Sequence, residues 1–78
     1  MRVAFAKRAG ETHLRLRFID DSGSTIDAIA FGAFKSDLGE TLVNHKGHIF
    51  HIAGRLEIDN WNGRMRPKLN LEDVAIVN

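Results

Sequence analysis

The 78-residue sequence has no cysteine, no tyrosine, one proline and one tryptophan, and its charges nearly cancel, at 11 basic against 10 acidic residues. Without cysteine there is no disulfide framework to hold so short a chain and no thiolate metal site, which suits a reducing compartment such as the cytoplasm. No apolar run approaches the roughly 18 residues a membrane span needs, so no membrane partner is expected. The opening "MRVAFAKRAG" has its basic residues after the apolar stretch, the wrong order for a signal peptide. Net charge alone predicts no partner, and neither repeats nor low-complexity segments break the chain. The expectation is one small domain over residues 1–78.

The groups that catalysis needs are missing too. There is no cysteine nucleophile, no tight cluster of carboxylates with histidine and no glycine-rich phosphate loop, while Asp20 and Asp21 fall in a turn without a partner. His45, His48 and His51 are spaced by three. On a strand, positions 48 and 51 point to opposite faces, and His45 lies before Gly47 in a loop, so the three do not converge on one ion. No metal, no cofactor and no catalytic residue are expected in this chain.

Alternation is what the sequence does have. Leu14, Leu16 and Phe18 alternate with His13, Arg15 and Arg17 across Thr12 to Ile19, the pattern of a half-buried strand. "DDSGS", Asp20 to Ser24, is turn chemistry, and Thr25 to Phe34 forms a hairpin with the strand before it. Arg2 to Lys7 is a shorter strand, with Val3 and Phe5 on one face. The period then changes: Leu38, Leu42 and Val43 predict one short helix over Ser36 to His45, with Ser36 or Asp37 as N-cap, Glu40 completing a capping box and Gly47 ending the run. His48 to Ile58 alternates again, and so do Met65, Pro67, Leu69 and Leu71. "NWNG", Asn60 to Gly63, favours a tight reversal between these last strands and puts Trp61 at a loop tip.

Three strands, a helix and two strands in a chain of this size predict an all-β domain with one short helix, the five-stranded OB barrel. The helix between strands three and four argues against an SH3-like barrel. Gly54 in mid-strand and Gly32 at the end of the third strand fit the bends a small barrel needs. The usual ligand face of such a barrel is the outer surface of strands two and three with its flanking loops. His13, Arg15 and Arg17 lie on that face, Lys7 and Arg8 at the first loop, and Arg64, Arg66 and Lys68 beside Trp61 at the other. Basic residues from three stretches thus converge, with an aromatic on which an unpaired base can stack, so that a chain of balanced charge presents a basic groove.

Each element also has a structural explanation. Arg15 and Arg17 fit the solvated face of any strand, and Trp61 fits a ring folded over the barrel end or docked on a neighbouring domain. Ile29 and Phe31 fit either an outside position with the basic residues or burial.

"HLRLRF", "IDAIAFG" and "GHIFHIAGRLEIDNWNGRMRPKLNLEDV" together resemble the OB domain of RecJ-type single-strand-specific DNA exonucleases, over nearly the whole chain. The resemblance implies a bacterial cytoplasmic enzyme that degrades single-stranded DNA from the 5′ end in recombination and repair. Its manganese or magnesium would sit in separate catalytic domains of the DHH phosphoesterase type, whose motifs this chain lacks. Carried to this sequence, the matching positions are Arg15, Arg17, Trp61, Asn62, Gly63 and Arg64. The implied role is single-stranded DNA binding; the alternatives are docking onto the catalytic domains with little DNA affinity, or a free-standing OB protein that binds RNA.

Overall fold

In the computed structural model the backbone is described for residues 1–77, with the side chains of all of these except Asp59 and Trp61. The expected alternation is realised in strand β2 (His13–Ile19), where Leu14, Leu16 and Phe18 are buried and Arg15 and Arg17 exposed. β2 pairs antiparallel with β1 (Arg2–Ala9) on one side and β3 (Thr25–Ala30) on the other. Between β2 and β3 the Asp20 carboxylate accepts the N–H groups of Ser22 and Ser24, each at 2.9 Å, and the Ser22 hydroxyl at 2.7 Å.

β3 stops at Ala30, four residues before the expected end. Gly32 is left-handed, with φ 65°, and turns the chain into a 3-10 turn over Ala33–Lys35, held by the Phe34 N–H donating to the Thr12 carbonyl at 3.1 Å. The helix α1 is shorter than expected, Leu38–Val43, and the expected capping box does not form. Asp37 already has helical dihedrals and its side chain makes no cap bond, while the Ser36 hydroxyl accepts the Leu38 N–H at 3.3 Å.

β4 (Ile49–Trp61) and β5 (Arg64–Val77) form one long antiparallel hairpin, longer on both sides than alternation suggested. Its two-residue turn is Asn62–Gly63, with φ 51° and 73°, the mirror-image turn that matches strand twist. Trp61 is therefore the last residue of β4, paired with Arg64, and not the tip of a loop. Beside Gly54 the register shifts, with Glu72 as the extra residue; a Cβ at position 54 would overlap the Asn70 carbonyl oxygen.

The strand order is β1-β2-β3-β5-β4, with β3 and β5 parallel. Leu14, Leu16, Phe18, Ala28, Ala30, Leu69 and Leu71 of the sheet pack with Phe50, Ala33 of the 3-10 turn and Leu42 of α1 in one core. The expected barrel is not closed: the two edges, β1 and β4, share no ladder. They meet at a single rung, where Met1 and Phe50 exchange backbone hydrogen bonds. Beyond Phe50, the β4 edge has no ladder with β1 among the described residues.

A second correction concerns β1. Val3 pairs with Phe18 and is buried, but Phe5 pairs with Arg17, so the extra residue Ala4 makes a bulge. The bulge moves Phe5 to the opposite face from Val3, where its side chain is 49% exposed.

Candidate nucleic-acid interface

The outer face of the sheet is organised as rungs that cross several strands. One rung runs Phe5, Arg17, Asp27, Lys68, Glu57. The next runs Lys7, Arg15, Ile29, Asn70, Arg55. Both follow from alternation, since the intervening positions Leu16, Ala28 and Leu69 are in the core. Above the first rung lies a groove of about 330 Å³ lined by Phe5, Arg15, Arg17, Asp27, Arg66 and Lys68. Its walls carry four cations and one carboxylate.

These cations are not equivalent. Arg17 donates to Asp27 at 2.8 Å, and that hydrogen bond, followed by the Asp27 charge, raises the already high Arg17 pKa. Part of its charge is neutralised inside the sheet face. Arg66 is also engaged. Lys7, Arg15 and Lys68 have no hydrogen bond or ion pair among the described residues, which leaves them available to an outside anion. Arg64 is exposed at the far end of the hairpin.

Past the second rung stands an aromatic pair. Phe31 is 58% exposed, which places it outside with the basic residues, and its ring meets the His13 ring edge-on at 5.2 Å between centroids. His13 is half-buried, and its Nδ1 accepts the Gly32 N–H at 2.8 Å, which fixes the ring beside Phe31. Ile29 is half-buried on the same face.

Arg8 does not join this face. It pairs with Leu14, on the opposite side of β1 from Lys7 and within the strand and not in the loop. Its guanidinium lies 4.2 Å from the centre of the Phe34 ring and donates to the Glu11 carbonyl at 2.6 Å and 3.1 Å. The Trp61 side chain lies outside the described residues.

Alternation points Phe5 to the core beside Val3, so sequence reasoning misses it as a groove residue; nothing in the composition of "RVAFAK" marks the bulge. Asp27 is also new to the site. A charge directly across from Arg17 could have been suggested by register alone, once the hairpin turn was placed.

Among the described residues no three of His, Asp and Glu gather as a metal site requires. His48 precedes β4, its N–H bonded to the His45 carbonyl at 2.7 Å, and its ring lies edge-on to Phe50. Among the described residues no helix is long and apolar enough to cross a membrane.

The RecJ OB domain family matches residues 1–73. The chain is similar to the single-stranded-DNA-specific exonuclease RecJ of Bacillus subtilis (strain 168), at 32% identity over 68 residues. That similarity takes in 87% of this chain and 8% of the relative, so the chain spans less than a tenth of the length of that curated protein. No solved structure matches it. With its family match over residues 1–73, this chain belongs to the RecJ OB domain family.

Proposed function

We propose that this domain binds single-stranded DNA across the outer face of β1, β2, β3 and β5, without strong sequence preference, as part of a RecJ-type exonuclease. The observation that carries the reading is the pairing on one face of cations without a partner among the described residues, Lys7, Arg15 and Lys68, with two exposed aromatics, Phe5 and Phe31. Cations of this kind follow a phosphate backbone, and aromatic faces accept any unpaired base. Phe5 takes the stacking role beside Arg17, and Phe31 beside His13. The parent enzyme would act from the 5′ end in cytoplasmic recombination and repair, its manganese or magnesium held by catalytic domains outside this chain.

About four free phosphate contacts (Lys7, Arg15, Lys68 and Arg64) give a salt slope of about −3 on single strands. A titration of labelled oligo-dT of about a dozen nucleotides, read by fluorescence anisotropy at several salt concentrations, tests the reading. It expects saturable binding with that slope and much weaker binding of duplex. Absence of binding at low salt would reject it.

A second reading rests on its own observation. On the hairpin beyond the core, Leu56, Ile58 and Met65 are 61%, 56% and 74% exposed on the face that continues from buried Leu69 and Leu71. Apolar area of that kind suits docking on another domain. The titration separates the two, since a docking module alone binds no DNA.

A further inference from the structure

The ladder between β2 and β3 ends at the pair Leu14 and Ala30. The chain then leaves the sheet through the left-handed Gly32 and returns to the core at Ala33. Phe31 is thus held out in solvent between two core alanines, Ala30 and Ala33. A ring of that size gains by covering itself, so its exposure needs a cause.

Two bonds from the start of β2 supply it. The Phe34 N–H donates to the Thr12 carbonyl, and the Gly32 N–H donates at 2.8 Å to Nδ1 of His13. The ladder has ended before Gly32, so its N–H is satisfied by a side chain and not by a carbonyl of β2. His13 is well placed for this. Its backbone pairs with Ala9 of β1, its ring shares the outer face with Arg15 and Arg17, and that ring meets Phe31 edge-on. A neutral imidazole has one N–H and one acceptor nitrogen. The bond from Gly32 claims Nδ1 as the acceptor, with the Thr12 hydroxyl 3.5 Å from the same atom, and leaves the proton on Nε2.

We propose that His13 is the positioning residue of the nucleic-acid face: its Nδ1 pins Gly32 and so holds Phe31 outward as a platform for one unpaired base. The stacking role rests on the DNA-binding reading above; the pin itself does not. His13 acts through Phe31 and not as a cation, because a ring that accepts at Nδ1 carries no charge. It therefore differs in kind from Lys7, Arg15 and Lys68 on the same face.

Three substitutions test this. His13→Asn places an acceptor oxygen where Nδ1 was, His13→Gln places its acceptor one bond further out, and His13→Ala has none. Without DNA, the Gly32 amide exchanges slowly in the wild type and the Asn variant, and about 10-fold faster in the Gln and Ala variants, while Leu14 and Leu16 stay protected in all four. With oligo-dT at low salt, the Asn variant binds like the wild type and the Gln and Ala variants bind about 5-fold or more weakly, all with the same salt slope. In a Phe31→Ala background none of the three changes the affinity further. The proposal is overturned if the three variants behave alike, if Gln rescues as well as Asn, if the losses at positions 13 and 31 add, or if removing His13 lowers the salt slope, which would make it a phosphate contact. If the wild type binds no DNA, the reading above fails instead, and Gly32 exchange in the four proteins still decides the pin. Should a variant fail to fold, long-range proton–nitrogen spectra of the wild type decide it: Nδ1 without a proton and coupled to the Gly32 amide nitrogen is expected, and a proton on Nδ1 overturns the proposal.

Discussion

Phe5 stands directly across the ladder from Arg17, although Val3, two positions earlier, faces Phe18 in the core. The Ala4 bulge makes that possible, and it puts an aromatic ring and a guanidinium at the start of a rung that crosses to Lys68. Because Phe5 is half exposed, Phe5→Ala costs little stability. If it stacks on a base, the variant loses about 1–3 kcal/mol of single-strand affinity, roughly 5- to 150-fold, with the salt slope unchanged. Anisotropy titrations at two salt concentrations check both halves, and an unaltered affinity would remove Phe5 from the site.

Asp27 lies between Arg17 and Lys68 and is the carboxylate that an incoming phosphate would meet. Asp27→Asn keeps the shape and frees the Arg17 charge. Single-strand affinity should rise about 2- to 10-fold at low salt, with a steeper salt slope. A docking face that never meets DNA would show no such gain.

Gly54 lies against the Asn70 carbonyl where the register shifts, and no side chain fits there without moving β5. Gly54→Ala should lose about 1–3 kcal/mol in urea unfolding, a large share of the stability of so small a domain. An unchanged unfolding midpoint would mean that the bulge does not need glycine.

The Asp20 carboxylate is held below its ordinary value of 3.8, first by the Ser22 hydroxyl and then by backbone N–H groups of the turn. Since the folded value is the lower one, the turn's contribution is complete above the ordinary value and fades as pH falls through the folded value. Thermal melts from pH 6 down to pH 2 should therefore show the wild type losing more of its midpoint than Asp20→Ala. Parallel curves for the two proteins would contradict this.

Much of the fold was legible because local chemistry determines it. Leu14, Leu16 and Phe18 against Arg15 and Arg17 are a period-two pattern with one solution, and Asn62-Gly63 specifies its own turn. The rest depends on long-range pairing. Whether β1 reaches far enough along β4 to close a barrel is not written in either strand, and an inserted Ala4 has no compositional mark. The same holds within the site. Arg15 and Arg17 look alike in "RLRF", yet the partner that neutralises one of them, Asp27, sits ten residues away, and Arg8, on the other face by strand alternation, lies against the Phe34 ring.

The most direct test of the nucleic-acid face is a map of backbone amide shifts by NMR as unlabelled oligo-dT is added at low salt. The account predicts the largest changes at Phe5, Lys7, Arg15, Arg17, Phe31 and Lys68, on one side of the sheet, with the core strands' inward residues little affected. Changes confined to the far β4–β5 hairpin, or none at saturating DNA, would contradict it.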